Sequence, residues 1–369
     1  LPLIILLLSM LSMSTVERLP PADPENSEPA CVLRAEPRYR SWHEAVKDAV
    51  RDREELLRLV GLGRLLELPD EVARKATQAA RDFPVFAPRG YIARMRQGDK
   101  CDPLLRQVLP LEDELRPAAG YGLDPVDDRA ATQSPGLLHK YDSRVLMVTT
   151  GACAVHCRYC FRRHFPYQES PKSLADWLPA IAKIEHDQSL REVILSGGDP
   201  LMLVDRQLAE LAERLATIPH LRRLRVHTRL PIMIPERVTG ELLGWLRGTR
   251  LTPIMVIHAN HAQELSDPVA NALAKLADAG IPLLNQAVLL RGINDDAQAL
   301  VELSERLIDL RVMPYYLHQL DRVMGAAHFA VPVERGRQLI AEMRARLPGY
   351  AVPRYVAEVA GETSKRVLL

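Results

Sequence analysis

The chain has 369 residues, 47% apolar and 26% charged, with a formal net charge of +1. That length and composition suit one large or two modest folded domains, and the charge balance gives no electrostatic reason to expect nucleic acid or a membrane surface as partner. Five cysteines, three of them crowded between Cys153 and Cys160, do not look like a disulfide framework, so the reading is a cytoplasmic protein with reduced thiols.

The opening run from Leu1 to Met10 has the apolarity of a signal h-region. It lacks a basic segment and a clear small-residue cleavage site, and it is too short to span a bilayer. Residues 1–40 are therefore expected to be a disordered or mis-assigned extension, with Met13 a candidate start. Residues 41–135 read as an N-terminal helical region capping the main domain. Ser41 caps a pattern with Trp42, Ala45, Val46, Ala49 and Val50 on one face. A second helix runs through Glu71 to Asp82, ended by Phe83-Pro-Val-Phe-Ala-Pro88, and Tyr91 to Gln97 forms a further turn or two. Cys31 and Cys101 stand alone and read as small apolar side chains.

Between residues 136 and 332, short apolar runs alternate with amphipathic stretches. Strands are expected at 144–150, 191–195, 222–228, 253–258, 281–288 and 312–317, with helices at 173–187, 205–216, 236–247, 267–279 and 296–310. Six strand–helix units argue for a parallel sheet with right-handed crossovers, two units short of a closed (β/α)8 barrel. The fold class is thus α/β, an open partial (β/α)6 TIM-like barrel with its chemistry at the C-terminal strand ends. Residues 333–369 add a helix and a segment ending near Lys365.

The first strand leads into Cys153-Ala-Val-His-Cys157-Arg-Tyr-Cys160. Three thiolates on one tight loop can hold three irons of a cubane cluster and leave the fourth iron open. The same spacing also allows a zinc knuckle closed by His156 or His164, or buried unreactive thiols. The second strand ends in Ser196-Gly197-Gly198-Asp199, where adjacent glycines let a ligand approach the backbone and Asp199 can accept from an ammonium. The next strands end in His227-Thr-Arg229, His258-Ala-Asn260, Asn285-Gln286 and Tyr315-Tyr-Leu-His318. Polar groups at the same end of successive strands read as the lining of one pocket.

The cysteine cluster and Ser196–Asp199 together resemble the radical S-adenosylmethionine superfamily. Arg144, Phe161-Arg-Arg163, His227-Thr-Arg-Leu-Pro231, Asn285-Gln-Ala-Val-Leu-Leu-Arg-Gly-Ile-Asn294 and Met313-Pro-Tyr-Tyr316 are similar to the lysine 2,3-aminomutase family within it. Pro135–Tyr141, Cys160–Tyr167 and Gly325-Ala-Ala-His-Phe329 resemble the branch that supplies β-lysine for modifying elongation factor P. The resemblance covers residues 41–369.

It implies a [4Fe-4S] cluster on Cys153, Cys157 and Cys160, and S-adenosylmethionine held by Ser196, Gly197, Gly198 and Asp199. It further implies pyridoxal 5′-phosphate on Lys365, contacted by Tyr141, Arg144 and Arg229, with His258 and Gln286 as further cofactor-binding candidates. Arg162 is the implied clamp for a substrate carboxylate, and Asp321 and Glu358 the acids for a distal ammonium. The implied activity is L-lysine 2,3-aminomutase, a 5′-deoxyadenosyl radical acting on the lysine aldimine, with an electron-donating reductant and a functional link to elongation factor P and its β-lysine ligase. In lysine aminomutases four glycines precede the cofactor lysine, whereas here only Gly361 remains. The rival readings are another amino-acid 2,3-aminomutase, such as one for glutamate, and a non-catalytic iron–sulfur or zinc protein.

Overall fold

The computed structural model describes residues 34–64 and 69–369. Most of the expected extension at residues 1–40 lies outside the described residues. Its last residues are tied to the helical region, since Glu36 pairs with the buried Arg94 guanidinium at 3.0 Å and Tyr39 donates to Asp48 at 2.7 Å.

The helical region comprises α1 (Trp42–Lys47), α2 (Arg53–Leu59), α3 (Asp70–Asp82), α4 (Arg89–Ala93) and α5 (Pro103–Arg106). Ser41 caps α1 by accepting from Glu44 N at 3.3 Å, and Asp52 caps α2 by accepting from Glu55 N at 2.7 Å. The short α2 had no clear sequence signature; fully buried Leu56 and Leu57 hold it in place.

A hairpin of β1 (Thr132–Ser134) and β2 (Leu137–Tyr141) precedes β3 (Arg144–Thr150). Five strands follow, β4 (Glu192–Gly197), β5 (Arg223–Thr228), β6 (Thr252–Ile257), β7 (Leu283–Val288) and β8 (Met313–His318), each within two residues of its expected bounds. Between them run α6 (Leu174–His186), α7 (Asp205–Ala216), α8 (Leu230–Met233), α9 (Gly240–Arg247), α10 (Asp267–Asp278) and α11 (Ala297–Asp309), and α12 (Val333–Arg344) comes after β8. The helix expected from residue 236 starts instead at Gly240, because Pro235–Arg237 forms a separate 3-10 turn and Thr239 supplies the cap, accepting from Leu242 N at 3.1 Å.

Strands β3 to β8 pair in parallel and in sequence order. Four strands beyond the expected six complete the sheet: the β1–β2 hairpin, with β2 antiparallel to β3, then β9 (Arg354–Ala357), parallel to β8, and β10 (Arg366–Val367), antiparallel to β9. The sheet order runs linearly from β1 to β10, so the barrel is open. Strand alternation then divides each strand's side chains. On β5, Leu224 and Val226 are buried in the core, while Arg225 and His227 line an internal cavity.

Candidate active site

The cavity has a volume of about 700 Å³ and is lined by residues from β2 to β5 and β7 to β10, by His258 just after β6, and by the cysteine loop. All three expected cysteines reach it, and all three are free thiols. The loop is braced from outside by the helical region. Arg158 is fully buried and donates to Glu114 at 2.8 and 2.6 Å and to Phe83 O at 2.6 Å, while its own N–H bonds Gln107 O at 2.8 Å. Arg163 shares Glu114 at 2.8 Å.

The two histidines that a zinc knuckle would need turn elsewhere. His156 Nδ1 lies 2.8 Å from Pro84 O, and His164 Nε2 lies 3.1 Å from Met324 O. Among the described residues, no group of three His, Cys, Asp or Glu side chains is gathered tightly enough for a single ion. Zinc would require its donors crowded within about 2.3 Å of one point, whereas a cubane cluster spreads three thiolates over three irons. The donor set therefore fits the cluster with one open iron. Burial pushes the Cys160 thiol up to about 11 and the Cys153 thiol well above its usual range, so these thiolates need a positive partner.

At the end of β4 the structure revises two expectations. A Cβ on Gly197 would lie 2.5 Å from Thr150 O, and one on Gly198 would lie 2.3 Å from Ala152 O. The glycines thus first admit the chain's own cysteine loop, which they hold through Gly198 N to Thr150 O and Asp199 N to Ala152 O, both at 2.8 Å. Asp199 was expected to take an ammonium, but its acceptor positions are filled. Oδ1 accepts from Leu201 N at 3.0 Å and Thr228 Oγ1 at 2.7 Å, and Oδ2 from Arg229 N at 2.7 Å and Leu230 N at 3.2 Å. Burial still pushes its carboxyl up to about 6 against those four bonds. Its corrected role is to tie the end of β4 to that of β5.

Arg229, after β5, is a further correction. Its guanidinium does not face the Lys365 end of the cavity; it donates to Cys157 Sγ at 2.8 Å, Gln107 Oε1 at 2.6 Å and Glu264 Oε2 at 2.8 Å. Position just before α8 turns the side chain toward these acceptors, which sequence reasoning did not identify. Gln107 and Glu264 sit in a loop and a 3-10 turn with no distinguishing spacing.

The opposite wall is made by the last strands. The β9–β10 hairpin sets Lys365 against Glu358, whose carboxylate pairs with the Lys365 ammonium and accepts from Tyr141 Oη at 2.6 Å. Burial alone would raise the Glu358 carboxyl, but the Lys365 ammonium and the Tyr141 hydroxyl hold it below its usual range. Gly361, at φ +79°, is the only left-handed residue in this turn. Arg144 stacks 4.6 Å over the Tyr141 ring, and among the described residues no acceptor takes its guanidinium.

Arg162 is buried, donating from Nε to Asp128 at 2.7 Å and from Nη1 to Ser196 Oγ at 3.3 Å. Asp321 also lines the cavity, and among the described residues no side chain donates to it; burial pushes its carboxyl up to about 7. Of the strand-end polar groups, His227, His258, Gln286 and His318 face the cavity. Burial drives the His258 imidazole down to about 3 and keeps His227 and His318 neutral, and His258 Nε2 lies 3.0 Å from Gln286 Nε2. Asn260 and Asn285 are internal staples instead, with Asn260 accepting from Val288 N at 2.8 Å and Asn285 from Ala259 N at 2.9 Å.

Residues 147–239, from β3 to the cap of α9, match the radical SAM superfamily. The chain is 45% identical over 332 residues to the L-lysine 2,3-aminomutase of Escherichia coli (strain K12), covering 90% of this chain and 95% of that one. The chain belongs to the lysine 2,3-aminomutase family. A second member, from Haemophilus influenzae, is 42% identical over 90% of this chain and 98% of its own length, and the member from Clostridium subterminale is 33% identical over 89% and 77%. Family membership and the open barrel agree with the expected fold class.

Proposed function

We propose that the chain is an L-lysine 2,3-aminomutase that interconverts L-lysine and β-lysine. The observation that carries this reading is a single cavity containing the cysteine loop, a buried Arg162, a Lys365 amine and an Asp321 carboxylate that no side chain among the described residues pairs. The iron–sulfur cluster and S-adenosylmethionine supply a 5′-deoxyadenosyl radical, and pyridoxal phosphate supplies a ring that binds an amine and spreads an unpaired electron.

The chain's own groups divide the remaining work. Cys153, Cys157 and Cys160 hold the cluster, and Arg229 stabilises the Cys157 thiolate by a charge-assisted hydrogen bond. Ser196 and the backbone of Gly197 and Gly198 hold the methionyl group, with Asp199 fixing that backbone. The neutral pair of His258 and Gln286 offers polar atoms to the adenosine end. Lys365 Nζ would hold pyridoxal phosphate, with Glu358 beside it as counter-charge, while Arg144 and Tyr141 would face the phosphate and ring. Arg162 takes the substrate α-carboxylate through its unengaged N–H groups. Asp321 takes the distal ammonium, aided by Glu358 when Lys365 has moved. A buried ammonium without a counter-charge is costly, so this acid selects lysine over glutamate.

The cluster needs an electron-donating reductant. The motifs shared with the elongation factor P branch support a cytoplasmic role in which free β-lysine passes to the ligase that modifies that factor. The test is anaerobic turnover of the reconstituted protein with lysine, arginine, ornithine and glutamate. β-Lysine as the main product is expected; β-glutamate, or no β-amino acid at all, would refute the assignment.

A further inference from the structure

Neither Asp128 nor Lys140 was expected in the site, yet both lie between its two halves. The loop before β1 delivers Asp128. Asp124 accepts from Asp128 N at 2.9 Å and Arg129 N at 3.0 Å, and Asp127 takes the left-handed region at φ +55°, which aspartate tolerates better than most residues. Asp128 is thereby buried, with only 3% of its side chain exposed. Its Oδ2 accepts from Arg162 Nε at 2.7 Å. Its Oδ1 lies 2.7 Å from Lys140 Nζ in an ion pair, and Lys140 Nζ also donates to Val126 O at 2.6 Å. Lys140 Nζ is in turn 3.8 Å from Glu358 Oε1.

We propose that Asp128 is the positioning residue of the carboxylate clamp, fixing the roll of the Arg162 guanidinium from behind so that its Nη edge faces the substrate. The inference rests on the reading of Arg162 as the group that takes the α-carboxylate. A guanidinium can present either its Nε–Nη edge or its Nη–Nη edge to a carboxylate. Asp128 occupies Nε, and Ser196 takes one Nη1 hydrogen. Nη2 and the second Nη1 hydrogen remain for the ligand. Around the clamp, Arg162, Asp128, Lys140 and Glu358 alternate in sign along one row.

The test compares lysine with lysinamide, which lacks the carboxylate, in holoenzyme carrying Asp128→Ala or Asp128→Asn. Calorimetric dissociation constants are measured alongside KM and kcat. For Asp128→Ala, lysine KM and Kd are expected to rise roughly 20- to 100-fold, the range for losing a buried hydrogen bond between charged groups. Lysinamide should change less than about 3-fold, and so should kcat for lysine. Asp128→Asn keeps an acceptor without the charge and should fall between wild type and Asp128→Ala. Equal weakening of lysine and lysinamide, or unchanged lysine binding, would overturn the proposal. If Asp128→Ala loses iron or melts early, the Asp128→Asn comparison decides on the same criteria. Should the wild-type protein prefer another α-amino acid, the lysine assignment falls while the acid-to-amide ratio for that substrate still tests Asp128.

Discussion

The two walls of the cavity are built differently. On the cysteine side most charged groups already have partners, Arg163 Nε and Arg229 Nε being buried exceptions: Asp199 accepts four hydrogen bonds, Arg229 has three acceptors, and Glu114 serves both Arg158 and Arg163. On the side of β8 to β10, Asp321 has no donor and Arg144 no acceptor among the described residues, and His318 Nε2 is buried without a partner. Buried polar groups left unsatisfied cost about 1–3 kcal/mol each unless a ligand completes them. The first wall is a preorganised socket, and the second is a surface shaped to be finished by cofactor and substrate.

The sharpest way to separate the walls is to disable each. Cys157→Ala is expected to abolish turnover and iron binding while leaving pyridoxal phosphate absorbance intact. Lys365→Ala should abolish turnover and that absorbance while leaving iron content unchanged. Loss of both cofactors in either variant would show that the walls form one unit. Next in size, Asp321→Asn should raise KM for lysine about 100-fold. Because burial lifts the Asp321 carboxyl to about 7, it is protonated below that pH and charged above it. Wild-type kcat/KM for lysine should therefore rise with pH through about 7, and the variant should lack that limb.

Gly198→Ala then probes the socket's rigidity. With Ala152 O only 2.3 Å from the new Cβ, stability should fall by about 2–3 kcal/mol in denaturant titration. Gly361→Ala, with open space around its Cβ but a left-handed φ, should cost only about 1 kcal/mol. The smallest effect is expected from Arg144→Gln, about a 10-fold weaker affinity for pyridoxal phosphate by absorbance titration.

Much of this division was legible in the sequence. The six strands and their helices follow from apolar runs and amphipathic periods, and the cysteine spacing, Arg162, Lys365 and Asp321 all reach one cavity as expected. What escaped is what tertiary contact decides. β9 is four residues long and gains its place by pairing with β8 on one side and β10 on the other. Arg229 and Glu358 stand at expected positions, but side-chain direction depends on partners distant in sequence: Gln107 and Glu264 for one, Tyr141 and Lys365 for the other. Asp128 carries no motif and Lys140, within Pro135–Tyr141, carried no assigned role; only the fold brings them between the clamp and the lysine.

The most direct measurement is the ratio of kcat/KM for lysine to that for 2-aminohexanoate, which has the same backbone but ends in a methyl group instead of an ammonium. With Asp321 reading the ammonium, the wild-type ratio should be about 100 or more and fall toward one in Asp321→Asn. A wild-type ratio near one, or a ratio unaffected by the substitution, would contradict the account.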